Sequence, residues 1–242
     1  LKEEDMVILA ARPGMGKSAL MLKLALNMAK QGHASLTWSF EMSRQSLVQR
    51  LVSIESAVNL TKIIGAKLNQ TEYNKVTDAL KNIKSLPLFF EEDVSASIYD
   101  IMTKTRRMKQ KHDIKALFVD YIQLMTTDEE NQTQSLGVLS RNFKKLAREL
   151  KITSVILSQL NRNVESRNDK HPILSDLRQS GDLEQDSDKV IFIYRDEMYN
   201  PAESNRGIAE LMLSKNRNGA TANIGIGYIS ENTNFVDLGR ND

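Results

Sequence analysis

The chain has 242 residues, 40% hydrophobic and 26% charged, a globular composition that excludes disordered and fibrous classes and allows one sizeable core, as one large domain or two small ones. It contains no cysteine, hence no disulfide framework and no thiolate metal site, a pattern compatible with a reducing cytosol. The formal net charge is only +2, so any nucleic-acid contact has to use local groups rather than a global basic field.

The chain opens LKEEDMVILA, without an initiator Met and with a strand-like run only a few residues in; we expect a piece of something longer. No apolar run is long enough to span a bilayer, and no signal-peptide pattern opens the chain. Strands are expected at MVILAA (6–11), SLTWSF (35–40), LPLFF (86–90), ALFVD (116–120), TSVILS (153–158) and KVIFIY (189–194). Helix-length segments separate them. Residues 18–31 are apolar almost all round and close at Gly32, as a buried helix does. Ser43 can cap 44–56, Asn69 with Glu72 and Ser97 with Asp100 form capping-box patterns, and 136–150 is amphipathic. Near-continuous apolar strands alternating with helices predict an α/β fold with a parallel sheet covered on both faces. The last third changes character: residues 208–217, an Asn-Gly pair at 218–219 and residues 220–229 read as strand, two-residue turn and strand, with NFVDL (234–238) as a further antiparallel piece.

The first chemical motif is A-R-P-G-M-G-K-S, residues 11–18, between an apolar strand and a buried helix. In a phosphate-binding loop glycines admit backbone N–H groups to the phosphates, the Lys meets the outer phosphates, and the Ser hydroxyl takes Mg²⁺ at a helix N-terminus. Ala11 stands where the pattern has its first Gly; it lies where the loop leaves the strand, so the loop is expected to survive. Parallel strands end on a common edge where ligands bind, and four strand ends carry suggestive residues: Ala11, Glu41, Asp120 and Gln159. Asp120 suits a Walker B carboxylate holding Mg²⁺ through its waters, Glu41 can orient or deprotonate the attacking water, and Gln159 can sense the γ-phosphate. Each also has a plainer role, as a turn cap, a helix-start carboxylate or a polar strand end.

ARPGMGKSA, SFEMS, ALFVDYIQLM, ILSQLNR, LSDLRQSGDLEQDSDKVIFIYRDEMY and SKNRNG occur in that order. The set resembles the C-terminal motor domain of the DnaB-type replicative DNA helicases, over essentially the whole chain. The resemblance implies a RecA-like fold spanning 1–242 as a single motor domain, a homo-hexameric ring, and nucleoside triphosphate hydrolysis, with ATP and Mg²⁺, that drives 5′→3′ movement on single-stranded DNA. It implies a nucleotide loop of Ala11, Arg12, Pro13, Gly14, Met15, Gly16, Lys17, Ser18 and Ala19, with Arg50 as a further contact. It also implies Mg²⁺ held through Ser18 and Asp120, water activation by Glu41, sensing by Gln159, and a cytosolic protein of the primosome, bacterial or phage, that meets primase and a helicase loader outside this chain. A RecA-like ATPase that assembles on DNA or a partner without unwinding shares this loop chemistry; SFEMS and SKNRNG together favour the helicase. A P-loop kinase is disfavoured, since no lid or second substrate pocket is evident.

Channel-facing DNA loops are expected at 126–135 and within the long stretch 161–184. The resemblance narrows the contact to Arg178, Gln179 and Gly181, with Gln179 where a Glu often stands; such backbone contacts position a strand without reading its sequence. Lys215 and Arg217, two apart on a strand, are expected to project from one face at the hairpin tip. The plain role of such cations is solubility and edge protection. In a ring they have a destination, the neighbouring subunit's γ-phosphate, as arginine-finger groups acting in trans.

Overall fold

The computed structural model describes residues 2–93, 95–125 and 132–238. In chain order the elements are β1 (Met6–Ala11), α1 (Lys17–Lys30), β2 (Ser35–Ser39), α2 (Arg44–Ser56), α3 (Leu60–Ile64), α4 (Gln70–Ser85), β3 (Leu88–Glu91), α5 (Ile98–His112), β4 (Ala116–Asp120), α6 (Gln132–Leu150), β5 (Thr153–Gln159), α7 (Gly181–Asp186), β6 (Lys189–Tyr194), β7 (Ile208–Asn216), β8 (Ala222–Ile229) and β9 (Asn234–Val236). Among the described residues the strands form one sheet in the order β3-β2-β4-β5-β1-β6-β7-β8-β9. β1 to β6 are parallel, and β7 to β9 add an antiparallel edge. The chain is therefore α/β with a mainly parallel sheet, as its strand pattern predicts.

Period-2 alternation on buried strands sends successive side chains to opposite faces. In β1, Met6, Ile8 and Ala10 join the core under α5 and α6 with Phe143 and Leu146. Val7, Leu9 and Ala11 join the opposite core, with Leu22, Leu26, Leu47 and Leu51 from α1 and α2. Because β1 is buried on both faces and paired on both edges, the loop that leaves its end starts from a fixed point.

The helix starts follow from local chemistry. Ser43 Oγ accepts from the Ser46 N–H at 3.2 Å, and reciprocal capping boxes form at Asn69–Glu72 and Ser97–Asp100. Three boundaries differ from the sequence expectation. β3 begins at Leu88, after Pro87, which has no N–H to give to a ladder. β5 runs on to Gln159, and α6 begins at Gln132 rather than at residue 136. The hairpin tip also differs: the β7–β8 ladder ends at Leu213–Ala222, so Asn218–Gly219 is not a two-residue turn. A bulge opposite Val190 and Ile191 shifts the register, and β7 stays paired with β6 as far as Asn216. Beyond it the Asn216 side-chain amide donates to the Ala220 carbonyl at 2.9 Å, closing a wider loop.

The stretch 161–184, expected as a loop, is folded into short helical turns at Arg162–Ser166 and Leu174–Ser180 followed by α7. Arg167 ties it together with a two-pronged pair to Asp176, 2.9 Å on each oxygen. No described helix is long and apolar enough to cross a membrane.

Candidate nucleotide site

The loop between β1 and α1 turns on two glycines in the left-handed region, Gly14 at φ +78° and Gly16 at φ +101°. Gly16 is required twice over: a Cβ there would stand 3.0 Å from Phe235 Cζ as well as carrying a disfavoured φ. Ala11 is the last residue of β1 and needs no such freedom, which accounts for the departure from the usual first Gly. No side chain caps α1, because Gly16 occupies its N-cap. The first N–H groups of a 14-residue helix are therefore left for an anion.

Lys17 sits at the mouth of that helix, its Nζ donating to the Ala11 carbonyl at 3.1 Å. Burial lowers its pKa, Asp120 and Glu41 oppose the shift, and Arg12 adds to it. Ser18 Oγ donates to Asp120 Oδ2 at 2.6 Å. Asp120 is wholly buried and its Oδ1 has no hydrogen-bond partner among the described residues. Burial pushes its pKa up to about 6, with Glu41 adding and Ser18, Lys17 and Arg50 opposing. The peptide that follows, Asp120–Tyr121, is cis.

These residues open on a cleft of about 550 Å³ at the carboxyl ends of the parallel strands. Pro13, Gly14, Gly16, Lys17, Ser18 and Ala19 form one wall; Glu41, Arg50 and Gln159 reach it from β2, α2 and β5. Gln159, last residue of β5, lies level with Ala11 in the sheet. Its backbone is braced by Gln123, whose Nε2 donates to the Gln159 carbonyl at 3.2 Å and to Ser158 Oγ at 2.8 Å. A wall lined by unsatisfied N–H groups, one cation and a hydroxyl–carboxylate pair is built for a polyphosphate.

Two loop residues serve the fold with their side chains. Met15 is buried in the core under α1. Arg12, expected among the nucleotide contacts, turns its guanidinium away: Nη1 donates to the Leu160 carbonyl at 2.7 Å, and Nε and Nη2 donate to Glu165 at 2.9 and 2.8 Å. That side chain fastens the loop to the turn after β5 and leaves Arg12 only its main chain for a ligand.

Sequence reasoning missed Tyr121 and Tyr228, which line the cleft, and Arg195, which reaches the loop from the end of β6. Tyr228 and Arg195 come from the antiparallel side, about 180 residues or more along the chain from the glycines, and no local pattern announces them.

The cation pair is not at this cleft. β7 runs antiparallel to β6, with Glu210 opposite Tyr194 and Asn216 opposite Lys189. The start of β6 is in turn level with the start of β1. Arg217 thus lies at the opposite edge of the sheet, its N–H donating to the Asp188 carbonyl at 2.8 Å. Roughly five residues of strand separate that level from Ala11, about 17 Å at ~3.3 Å per residue, so Arg217 cannot reach the phosphate loop of its own chain. Nor do the two cations form a free prong. Lys215 Nζ donates to the Ser187 carbonyl at 2.7 Å and to the Glu184 and Gln185 carbonyls at the C-terminal end of α7, with its pKa lowered by burial. Arg217 is the exposed one, 64% for its side chain, 3.8 Å from Asp188.

Of the expected DNA contacts, Arg178 and Gln179 fall in the turn Leu174–Ser180 and Gly181 opens α7; their side chains lie outside the described residues. So do residues 126–131 of the other candidate loop.

Comparison with known proteins converges on one family. The family model of the DnaB-like helicase C terminal domain matches residues 1–237. The chain is 37% identical over 243 residues to the replicative DNA helicase DnaB of Geobacillus stearothermophilus, covering 99% of this chain and 54% of that protein. It is 34% identical to the replicative DNA helicase DnaC of Bacillus subtilis (strain 168), covering 99% and 54%. The chain thus spans about half the length of these curated relatives. Among solved structures, an isolated ATPase domain superposes with a TM-score of 0.94 at 35% identity, covering 99% of this chain and 86% of that one. A DnaB-like replicative helicase, described with its interactions with primase, also gives 0.94, at 36% identity and 98% and 58% coverage.

Proposed function

The chain belongs to the DnaB-like helicase C-terminal domain family, and from that premise we propose that it is the motor of a replicative DNA helicase, hydrolysing ATP to translocate 5′→3′ on single-stranded DNA and unwind duplex as a hexameric ring. In this reading residues 1–242 are one motor domain, which the single sheet running from β3 to β9 supports, and the protein works in the cytosol.

The observation that carries the reading is the division of the polar groups. Phosphate loop, hydroxyl–carboxylate pair, Glu41 and Gln159 share one edge of the sheet, while the exposed Arg217 stands at the other. A site complete in phosphate binding but lacking its own finger is the arrangement a shared, multi-subunit site requires.

The roles follow from the geometry. N–H groups of the loop and of the first turn of α1 hold the phosphates, and Lys17 neutralises their charge. Ser18 and Asp120 would hold Mg²⁺: Asp120 Oδ1 is unpartnered, and among the described residues no three acidic or His side chains form a cage. That donor set suits a hard cation that keeps its waters and binds mainly through phosphates. Bound there, the metal supplies charge neutralisation on the β- and γ-oxygens. Glu41, exposed at the cleft, orients the attacking water and accepts its proton. Gln159 hydrogen-bonds the γ-phosphate, and its position at the end of β5 ties loss of that group to the turn Arg162–Ser166 that follows. Arg178, Gln179 and Gly181 contact the DNA backbone without reading bases, and primase and a loader are the partners of the whole protein.

The test is strand displacement on a forked duplex by the protein with ATP and Mg²⁺, with hydrolysis measured in parallel. Hydrolysis stimulated by single-stranded DNA with displacement from the fork is expected. Stimulated hydrolysis without displacement would instead mark an ATPase that only assembles on DNA.

A further inference from the structure

We propose that Arg195 is a positioning residue of the nucleotide site, a clamp that holds the phosphate loop in its binding shape from the β6 side. The proposal rests on the reading of residues 11–18 as that loop.

Arg195 directly follows β6, the parallel neighbour of β1, and is only 6% exposed. Its guanidinium is used on three sides. Nη1 donates to the Gly14 carbonyl at 3.0 Å; Nε and Nη2 donate to Glu197 at 3.1 and 2.5 Å. The flat face lies 3.9 Å from the centre of the Tyr228 ring. Tyr228 lines the cleft and, with Phe235, packs against Gly16. Glu197 is itself held, its Oε2 accepting from the Gly207 N–H at 2.9 Å. Burial alone would raise the Glu197 pKa, but the Gly207 N–H and Arg195 outweigh it and keep the carboxyl below its ordinary value. A planar guanidinium serves a carbonyl, a carboxylate and an aromatic face at once, which an ammonium cannot do.

The loop needs such a clamp. Its own backbone supplies one long turn bond, Met15 N–H to the Arg12 carbonyl at 3.4 Å, and Gly14 and Gly16 are the residues with most freedom to lose. On the β5 side, Arg12 fastens the loop to Leu160 and Glu165. On the β6 side, Arg195 grips the Gly14 carbonyl, so the peptide joining Gly14 to Met15 has one orientation before any ligand arrives. Two arginines, one from the loop reaching towards β5 and one from the end of β6, thus hold the loop from both flanks. A group that preorganises a binding loop lowers the cost of ordering it on binding, and its loss appears chiefly as lost affinity.

The experiment measures Mg·ATP affinity by calorimetry and steady-state hydrolysis for Arg195→Ala, Arg195→Lys and Glu197→Gln, with Lys17→Ala as reference. We expect Arg195→Ala to raise Kd and KM at least tenfold while kcat changes less than threefold. Arg195→Lys should recover part of that affinity through the Gly14 carbonyl, and Glu197→Gln should raise KM by a smaller factor. A folded Arg195→Ala that binds Mg·ATP within twofold of the parent overturns the proposal. If Arg195→Ala fails to fold, unchanged KM in both Arg195→Lys and Glu197→Gln overturns it, and raised KM in either supports it. Should Lys17→Ala also bind Mg·ATP normally, the failure is that of the phosphate-loop reading and not of the clamp.

Discussion

Ser18 and Asp120, 102 residues apart in the chain, meet at 2.6 Å through Oγ and Oδ2, while the other carboxylate oxygen is buried without a partner among the described residues. Such a carboxylate is costly in the empty protein. Its pKa, raised to about 6 by burial, means that the folded state binds a proton more readily than the unfolded one. The stabilising proton is present below the ordinary carboxylate pKa and is lost as pH rises through about 6. At about 1.4 kcal/mol per pKa unit the cost above that pH is ~3 kcal/mol. In metal-free buffer Asp120→Asn is therefore expected to raise the unfolding midpoint at about pH 7.5 and to leave it unchanged at about pH 4. Thermal melts across that range check it; a stability difference of equal size at both values would refute the burial argument.

Glu41 stands exposed at the cleft rather than in the phosphate-binding wall. Glu41→Gln should keep Mg·ATP affinity and lose about 10²–10⁴-fold in turnover, the usual worth of a positioned general base. Single-turnover hydrolysis alongside a binding titration separates the two effects. Equal losses in both would assign Glu41 to binding.

Arg217 is too far from its own chain's loop to serve it. Arg217→Ala should leave nucleotide affinity nearly intact and lower hydrolysis by about 10³-fold or more. Mixed with Lys17→Ala, it should regain part of the activity, because a hybrid interface then holds one intact loop and one intact finger. Titrating the mixing ratio measures the rescue, and none at any ratio contradicts action in trans.

Lys215 carries a load inside its own chain. Its ammonium binds the carbonyls that end α7, an interaction favoured by the helix dipole and by charge-assisted hydrogen bonding. Lys215→Met should cost about 1–3 kcal/mol in denaturant unfolding and speed amide exchange in 181–187. Lys215→Arg should restore part of both. Exchange unchanged in that segment would mean the contact contributes nothing.

The features legible in the sequence are those of local chemistry. The glycines, Lys17 and Ser18 belong to one short turn, each capping box joins residues three apart, and Glu41, Asp120 and Gln159 mark strand ends that any parallel sheet gathers on one edge. The rest depends on long-range packing. Arg12 reads as a loop ligand because its neighbours are, yet the turn after β5 offers Glu165 and captures it. Arg195 reaches Gly14 only because β6 lies beside β1. Spacing puts Lys215 and Arg217 on one face, but the end of α7 claims the first and leaves the second exposed. Asn218–Gly219 has the composition of a tight hairpin turn, whereas Asn216 closes a wider loop around it.

The reversal of direction between β6 and β7 has a consequence for assembly. Had β7 run parallel to β6, Arg217 would end on the same edge as Lys17, and a monomer could have completed its own site. Because it runs back, each copy carries an incomplete socket at one edge and the missing plug at the other. Copies joined head to tail leave one empty socket and one idle plug in every open row, however long. Only closure removes both, since in a cycle every socket has a plug. In that sense one antiparallel strand is a counting device: it gives the row a reason to close.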